Sequence, residues 1–205
     1  MQFFSLVPIS LLCIYKPYFL EPKKIVVTGG PSTGKTSVIR ILEEKGYFCQ
    51  HEVIRTMTIE TGREEGISSF TTNPILSVAD PLEFNRRILR ARMAQYNEAL
   101  HEKHDPVFFD RGIHDVVAYM YCFGQEVDDT FLQACKDHSY DQVFLLPPWE
   151  EIYVADSERF ESFGESLRIH AHLESAYQQF GHSIITVPKY GVEERCNFIL
   201  ASLKY

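Results

Sequence analysis

The sequence predicts an α/β fold of three layers, with helices on both faces of a five-stranded parallel sheet, and three observations predict it. An apolar, β-branched run at Ile25, Val26 and Val27 leads directly into a glycine-rich turn and then an amphipathic helical pattern. A second apolar run, Val107-Phe108-Phe109, ends on a carboxylate, Asp110. Strand signals then keep alternating with helical periods to the C-terminus, which is the pattern of a parallel sheet wound with crossover helices.

Lys24 to Thr36, KIVVTGGPSTGKT, is the segment around which the chain is organised. Gly29 to Thr36 matches the phosphate-loop pattern G-x-x-x-x-G-K-[ST] at every fixed position. Glycines let successive backbone N–H groups converge on a triphosphate, and the helix that follows adds partial positive charge at its N-terminus. Gly30, Pro31, Ser32, Thr33, Gly34, Lys35, Thr36 and Ser37 are the candidate nucleotide-binding segment. Lys35 is expected to reach the β- and γ-phosphates, and Thr36 to ligate Mg²⁺. The helix is predicted over Thr36 to Lys45, with Val38, Ile41 and Leu42 on one face and Gly46 ending it.

Tyr47 to Glu52 is a weaker strand signal, and a carboxylate at its end would project toward the phosphate site. Glu52 is therefore a candidate functional residue, with an ion pair to Arg55 as the alternative. Thr58 to Ser77 shows no sustained period and reads as a loop. Asp80-Pro81-Leu82-Glu83 announces the next helix, with Asp80 as N-cap and Glu83 closing a capping box. Arg86, Arg87, Arg90 and Arg92 read as its solvated face, with contact to a substrate phosphate as the other reading. His101 and His104 are expected to interact with the helix dipole at its end.

Val107 to Asp110 is the second buried strand, and Asp110 at its tip is placed to orient Mg²⁺ beside the phosphate loop. Arg111 follows it directly. Helices are predicted over Asp115 to Phe123 and Asp128 to His138, then a strand over Gln142 to Leu146. Trp149 to Gly164 carries several acids, and Arg159 in it, with Arg168 at the start of the next helix, is the candidate phosphate-facing lid. That helix stops at Gly181; Ser183 to Val187 is the last strand, and Pro188 to Gly191 is a candidate wall for the nucleotide base before a final helix.

A chain of 205 residues, 45% hydrophobic, can bury one full core, so residues 23–205 are expected to form one unit. The formal net charge of −8 argues against a nucleic-acid or anionic-membrane surface. Five dispersed cysteines suggest neither a disulfide framework nor a zinc site, and read as reduced thiols of a cytoplasmic protein. Residues 1–22 form an apolar extension that does not fit the rest. Phe3 to Tyr15 lacks the flanks of a signal peptide and the length of a membrane span. An upstream extension from a misplaced start, a docked or disordered arm, and a membrane anchor through residues 3–15 all stay open.

The combination of Val27 to Thr36, Glu52-x-x-Arg55, Phe109 to Tyr119 (FDRGIHDVVAY), and Val187-Pro188 leading into Gly191-Val-Glu-Glu-Arg195 resembles the AAA_28 family of P-loop proteins. That family is similar to the ribosylnicotinamide-kinase domain of the bacterial regulator NadR and to GTP-binding trafficking proteins of insects. The resemblance implies a nucleoside- or nucleotide-kinase-like fold with a purine nucleoside triphosphate and Mg²⁺ as ligands. It further implies that Asp110 and Arg111 contact substrate and metal, that Glu52 serves as base for an acceptor hydroxyl, and that Arg159 and Arg168 compare with lid arginines. The expected function is phosphoryl transfer from ATP to a small-molecule hydroxyl such as that of a nucleoside; the alternative is a nucleotide-driven switch acting through a protein partner. No N-K-x-D motif is present, which favours ATP and leaves GTP open.

Overall fold

β1 (Lys24–Gly29) is the central strand of the molecule, with Ile25, Val26 and Val27 fully inaccessible to solvent. In the computed structural model of the chain, residues 21–54, 78–153 and 162–204 are described. Their elements follow in the order β1, α1 (Lys35–Glu44), β2 (Phe48–Gln50), α2 (Pro81–Ala99), β3 (Val107–Asp110), α3 (His114–Cys122), α4 (Asp129–Asp137), β4 (Gln142–Leu146), α5 (Phe163–Gln179), β5 (Ile184–Thr186) and α6 (Val192–Ala201). A short 3₁₀ turn, Glu150–Ile152, follows β4. The five strands are parallel, in the order β2-β3-β1-β4-β5.

Successive side chains of a strand point to opposite faces, so apolar runs in the middle of this sheet feed two cores. Val26, Phe109, Val143 and Leu145 pack with α2, α3, α4 and α5 through Ile88, Val117, Phe131 and Leu173. Ile25, Val27, Phe108, Phe144 and Leu146 pack on the other face with Val38 and Leu42 of α1 and Cys196 and Ile199 of α6. The three-layer prediction holds. The cysteines at 49, 122, 135 and 196 are free and buried; Cys13 lies outside the described residues, as do the whole of residues 1–20 and the expected loop Thr58 to Ser77. No helix among the described residues is long and apolar enough to cross a membrane.

α2 departs from expectation in three places. Asp80 caps it by accepting from the Glu83 backbone N–H at 2.9 Å, but the Glu83 carboxylate pairs with Arg90 instead of closing a capping box. A guanidinium two turns along offers a charged partner where the N-cap amide offers a neutral one. The helix ends at Ala99, so His101 and His104 lie beyond it; His104 bonds Glu102 at 2.8 Å and stacks on Phe48. Arg92 is not on a solvated face. It is buried, because it falls on the same stripe as Asn85, Ile88, Leu89, Tyr96 and Ala99.

Candidate active site

The loop between β1 and α1 is curled by left-handed backbone at Ser32 (φ 56°) and Gly34 (φ 82°), which turns consecutive N–H groups inward. Only glycine fits at 34 for a second reason: a Cβ there would lie 2.9 Å from the guanidinium nitrogens of Arg195. Internal bonds hold the curl, the Thr33 hydroxyl donating to the Gly30 carbonyl at 2.9 Å and Lys35 Nζ reaching the same oxygen at 3.3 Å. Ser166 of α5 donates to the Pro31 carbonyl at 3.2 Å, and Arg195 of α6 donates to the Thr33 carbonyl at 2.8 Å. Thr36 is exposed in the first turn of α1.

β3 runs beside β1 with Asp110 opposite Val27, so its tip lies next to the start of the loop. Burial pushes the Asp110 carboxyl above the usual carboxylate range, and Lys35 opposes that shift. Its Oδ1 is buried with no hydrogen-bond partner among the described residues. A buried oxygen left in that condition fits a carboxylate that completes its bonding with a metal ion or metal-bound water, and with the exposed Thr36 hydroxyl it makes a donor set of the hard oxygens Mg²⁺ prefers. Arg111, the next residue, has φ 76°, a conformation rare for a bulky side chain. Its backbone N–H donates to the Val27 carbonyl at 3.1 Å, and its side chain pairs with Glu52 and, at 3.2 Å, with Asp115. Strain of about 1–3 kcal/mol held by surrounding bonds is a feature of functional sites.

Glu52 just beyond β2 thus meets Arg111, and it also accepts from buried Arg92 at 2.9 Å. Arg92 in turn donates to the Gly112 carbonyl at 2.5 Å. Asp115 closes the group: it accepts from the Thr28 hydroxyl at 2.5 Å, the Tyr177 hydroxyl at 2.6 Å and the Gly112 N–H at 3.0 Å. Three cations, Lys35, Arg92 and Arg111, therefore balance three carboxylates, Glu52, Asp110 and Asp115.

A family model for an AAA domain, AAA_28, matches residues 24–195. The chain belongs to this family. Its fold is that of P-loop nucleoside and nucleotide kinases. A deoxyadenosine kinase from M. mycoides, solved with bound dATP, superposes with a TM-score of 0.59 at 17% identity, over 87% of this chain and 97% of that one. NadR, solved in complex with NR, gives 0.66 at 18% identity over 88% of this chain and 51% of NadR, about half of that protein. Thymidylate kinase from Ehrlichia chaffeensis gives 0.59 at 16% identity, over 90% and 100%. No curated protein sequence matches the chain.

Of the residues the sequence singled out in this AAA_28 chain, the structure gathers Lys35, Glu52, Asp110 and Arg111 beside the loop. It does not bring Arg168 there. Arg168 donates to the Cys122 carbonyl at the C-terminal end of α3, at 2.9 Å. Ser166 is the residue of α5 that faces the loop, and two helical residues rotate a side chain by roughly 200°, so Arg168 points away. Arg159 lies outside the described residues, as does Arg55. Sequence reasoning missed the parts played by Arg92, Asp115 and Arg195. A helical stripe carries a signal for Arg92, since it recurs with buried positions at Asn85 and Tyr96; Asp115 and Arg195 carry no comparable local signal.

Lys35 makes the electrostatics testable. Burial first, and Arg111 second, pull its amino group down to about 8, against the attraction of Asp110, Glu52 and Asp115. A triphosphate favours the charged amine and so raises that value again. Affinity for ATP is therefore expected to be flat below about pH 8 and to fall as the pH rises through it, by at most tenfold per unit. Titration calorimetry in buffers of different ionisation enthalpy should show proton uptake on binding near pH 8; binding with no proton exchange there would contradict this placement of Lys35.

Proposed function

We propose that the chain is a Mg²⁺-dependent phosphotransferase that moves the γ-phosphoryl group of a purine nucleoside triphosphate, ATP or GTP, to a hydroxyl of a small molecule such as a nucleoside. The observation that carries this reading is the position of Glu52, a carboxylate at the strand end next to Asp110 and Lys35, oriented from two sides by Arg92 and Arg111. A carboxylate clamped beside a phosphate loop has a task in acceptor chemistry, because the triphosphate itself would repel it.

In this mechanism the loop amides from Gly30 to Ser37 and the N-terminus of α1 cradle the triphosphate, and Lys35 neutralises its terminal phosphates. Thr36 and Asp110 would hold Mg²⁺, which supplies charge neutralisation between the phosphates. Glu52 orients the acceptor hydroxyl and takes its proton, while Arg111 offsets charge on the transferring group. Positioning and electrostatics carry such a reaction without a covalent intermediate. Buried Arg92 is already matched with Glu52 and with the Gly112 carbonyl, which favours an uncharged acceptor over one that brings a second phosphate.

The test is transfer of label from γ-labelled ATP and GTP with Mg²⁺, across a panel of nucleosides that includes ribosylnicotinamide. Label is expected on one acceptor hydroxyl. Release to water at a rate that every acceptor leaves unchanged would replace the kinase with a nucleotide-driven switch.

A further inference from the structure

Arg195 stands one turn into α6, 162 positions from the loop residue it bonds, and is only 4% exposed. Its guanidinium donates to the Thr33 carbonyl and presses against Gly34, and its Nε is buried with no hydrogen-bond partner among the described residues. No carboxylate among the described residues pairs with it. The two acids beside it on the helix are engaged elsewhere: Glu193 pairs with Lys45 at 2.6 Å and Glu194 accepts from the Gly191 N–H at 2.9 Å. The ring of Trp149, 5.9 Å away, gives it a cation–π contact that offsets part of the loss of water.

This is an expensive arrangement for a strut. A buried cation without a counter-ion is disfavoured, and the first turn of a helix is the end where the dipole disfavours positive charge. The hydrogen bond of Arg195 to the Thr33 carbonyl and its approach to Gly34 put this charge directly against the phosphate loop, at the residues that precede α1.

We infer that Arg195 is a positioning residue for the nucleotide, holding the phosphate loop from behind and contributing positive charge whose counter-ion is the triphosphate of the ligand. The inference rests on the triphosphate-binding reading above. It gives α6, the last helix of the chain, a direct part in nucleotide affinity.

Because substitution of Arg195 also changes its contact with Trp149, binding is read by titration calorimetry rather than by the tryptophan signal. The experiment titrates MgATP and AMP into full-length wild type, Arg195→Gln and Arg195→Lys, and records the melting temperature of each protein without ligand. Arg195→Gln is expected to bind MgATP about tenfold more weakly, to lose less for AMP, and to melt close to wild type, because the bond to the Thr33 carbonyl goes together with the cost of a buried charge; Arg195→Lys, which keeps the charge, recovers most of the MgATP affinity. Equal losses for MgATP and AMP, equal losses in the Gln and Lys variants, or a Gln variant that melts much lower or does not fold would each reduce Arg195 to a structural strut and overturn the inference. Wild type that binds no triphosphate at all would overturn the underlying reading with it, and is distinguishable because it involves no variant.

Discussion

Replacing Glu52 with Gln is expected to lower acceptor-dependent phosphoryl transfer by about 10²–10⁴-fold, while affinity for MgATP changes by less than about threefold. The split follows from geometry. Glu52 sits beyond β2, and its partners are Arg92, Arg111 and the Ile54 N–H rather than any loop amide. Glutamine keeps an oxygen to accept from one guanidinium but has lost the proton acceptor. Arg92 retains the Gly112 carbonyl and Arg111 retains Asp115, so neither is stranded when the carboxylate goes. Single-turnover transfer to the acceptor that the label-transfer panel reveals, alongside titration calorimetry for binding, separates the two effects. Turnover within about fivefold of wild type would remove Glu52 as the base.

Replacing Asp115 with Ala is expected to be the most damaging single change to stability, at about 3 kcal/mol or more. The carboxylate is 1% exposed and joins four groups from three parts of the chain: the Thr28 hydroxyl of β1, the Gly112 N–H and Arg111 guanidinium after β3, and the Tyr177 hydroxyl of α5. Alanine leaves the Thr28, Gly112 and Tyr177 donors buried without this acceptor and Arg111 with Glu52 alone. For a chain of this length the loss corresponds to a fall of about 10 °C in melting temperature. Burial alone would raise the carboxyl of Asp115, but Arg92, Arg111 and the hydroxyls of Thr28 and Tyr177 together hold it below the ordinary 3.8. Its contribution is therefore complete above pH 3.8 and is lost as the pH falls through the lower folded value. Denaturant unfolding of wild type and Asp115→Asn at several pH values should show the gap between them closing on the acid side. A gap that stays constant to pH 3 would mean that the charge of Asp115 is not what the variant removes.

The strand, loop and helix from Lys24 to Glu44 were legible because everything that shapes them is contiguous: an apolar run, glycines where the backbone turns left-handed, and a helical period behind. The same is true of β3 ending on Asp110, and of Asp80 as an N-cap. Periodicity with turn chemistry fixed the three-layer sheet, since a strand with no polar face has to be covered on both sides. Arg92 was misread because a charged residue on a helix usually points outward, although its spacing placed it with Asn85 and Tyr96 in the buried stripe. Whether a buried stripe admits an arginine depends on a carboxylate arriving from elsewhere, and Glu52 is 40 positions away.

Local pattern therefore determined the phosphate loop, the strand-end carboxylates Glu52 and Asp110, and the class of fold. Tertiary packing decided which arginines serve the site. It took Arg168 to the Cys122 carbonyl at the far end of α3, drew Arg92 onto Glu52, joined Asp115 to Tyr177 across 62 positions, and set Arg195 behind Gly34. A short-range rule reports the backbone conformation a residue favours; the partner that makes a buried charge tolerable is supplied only when distant segments close on one another.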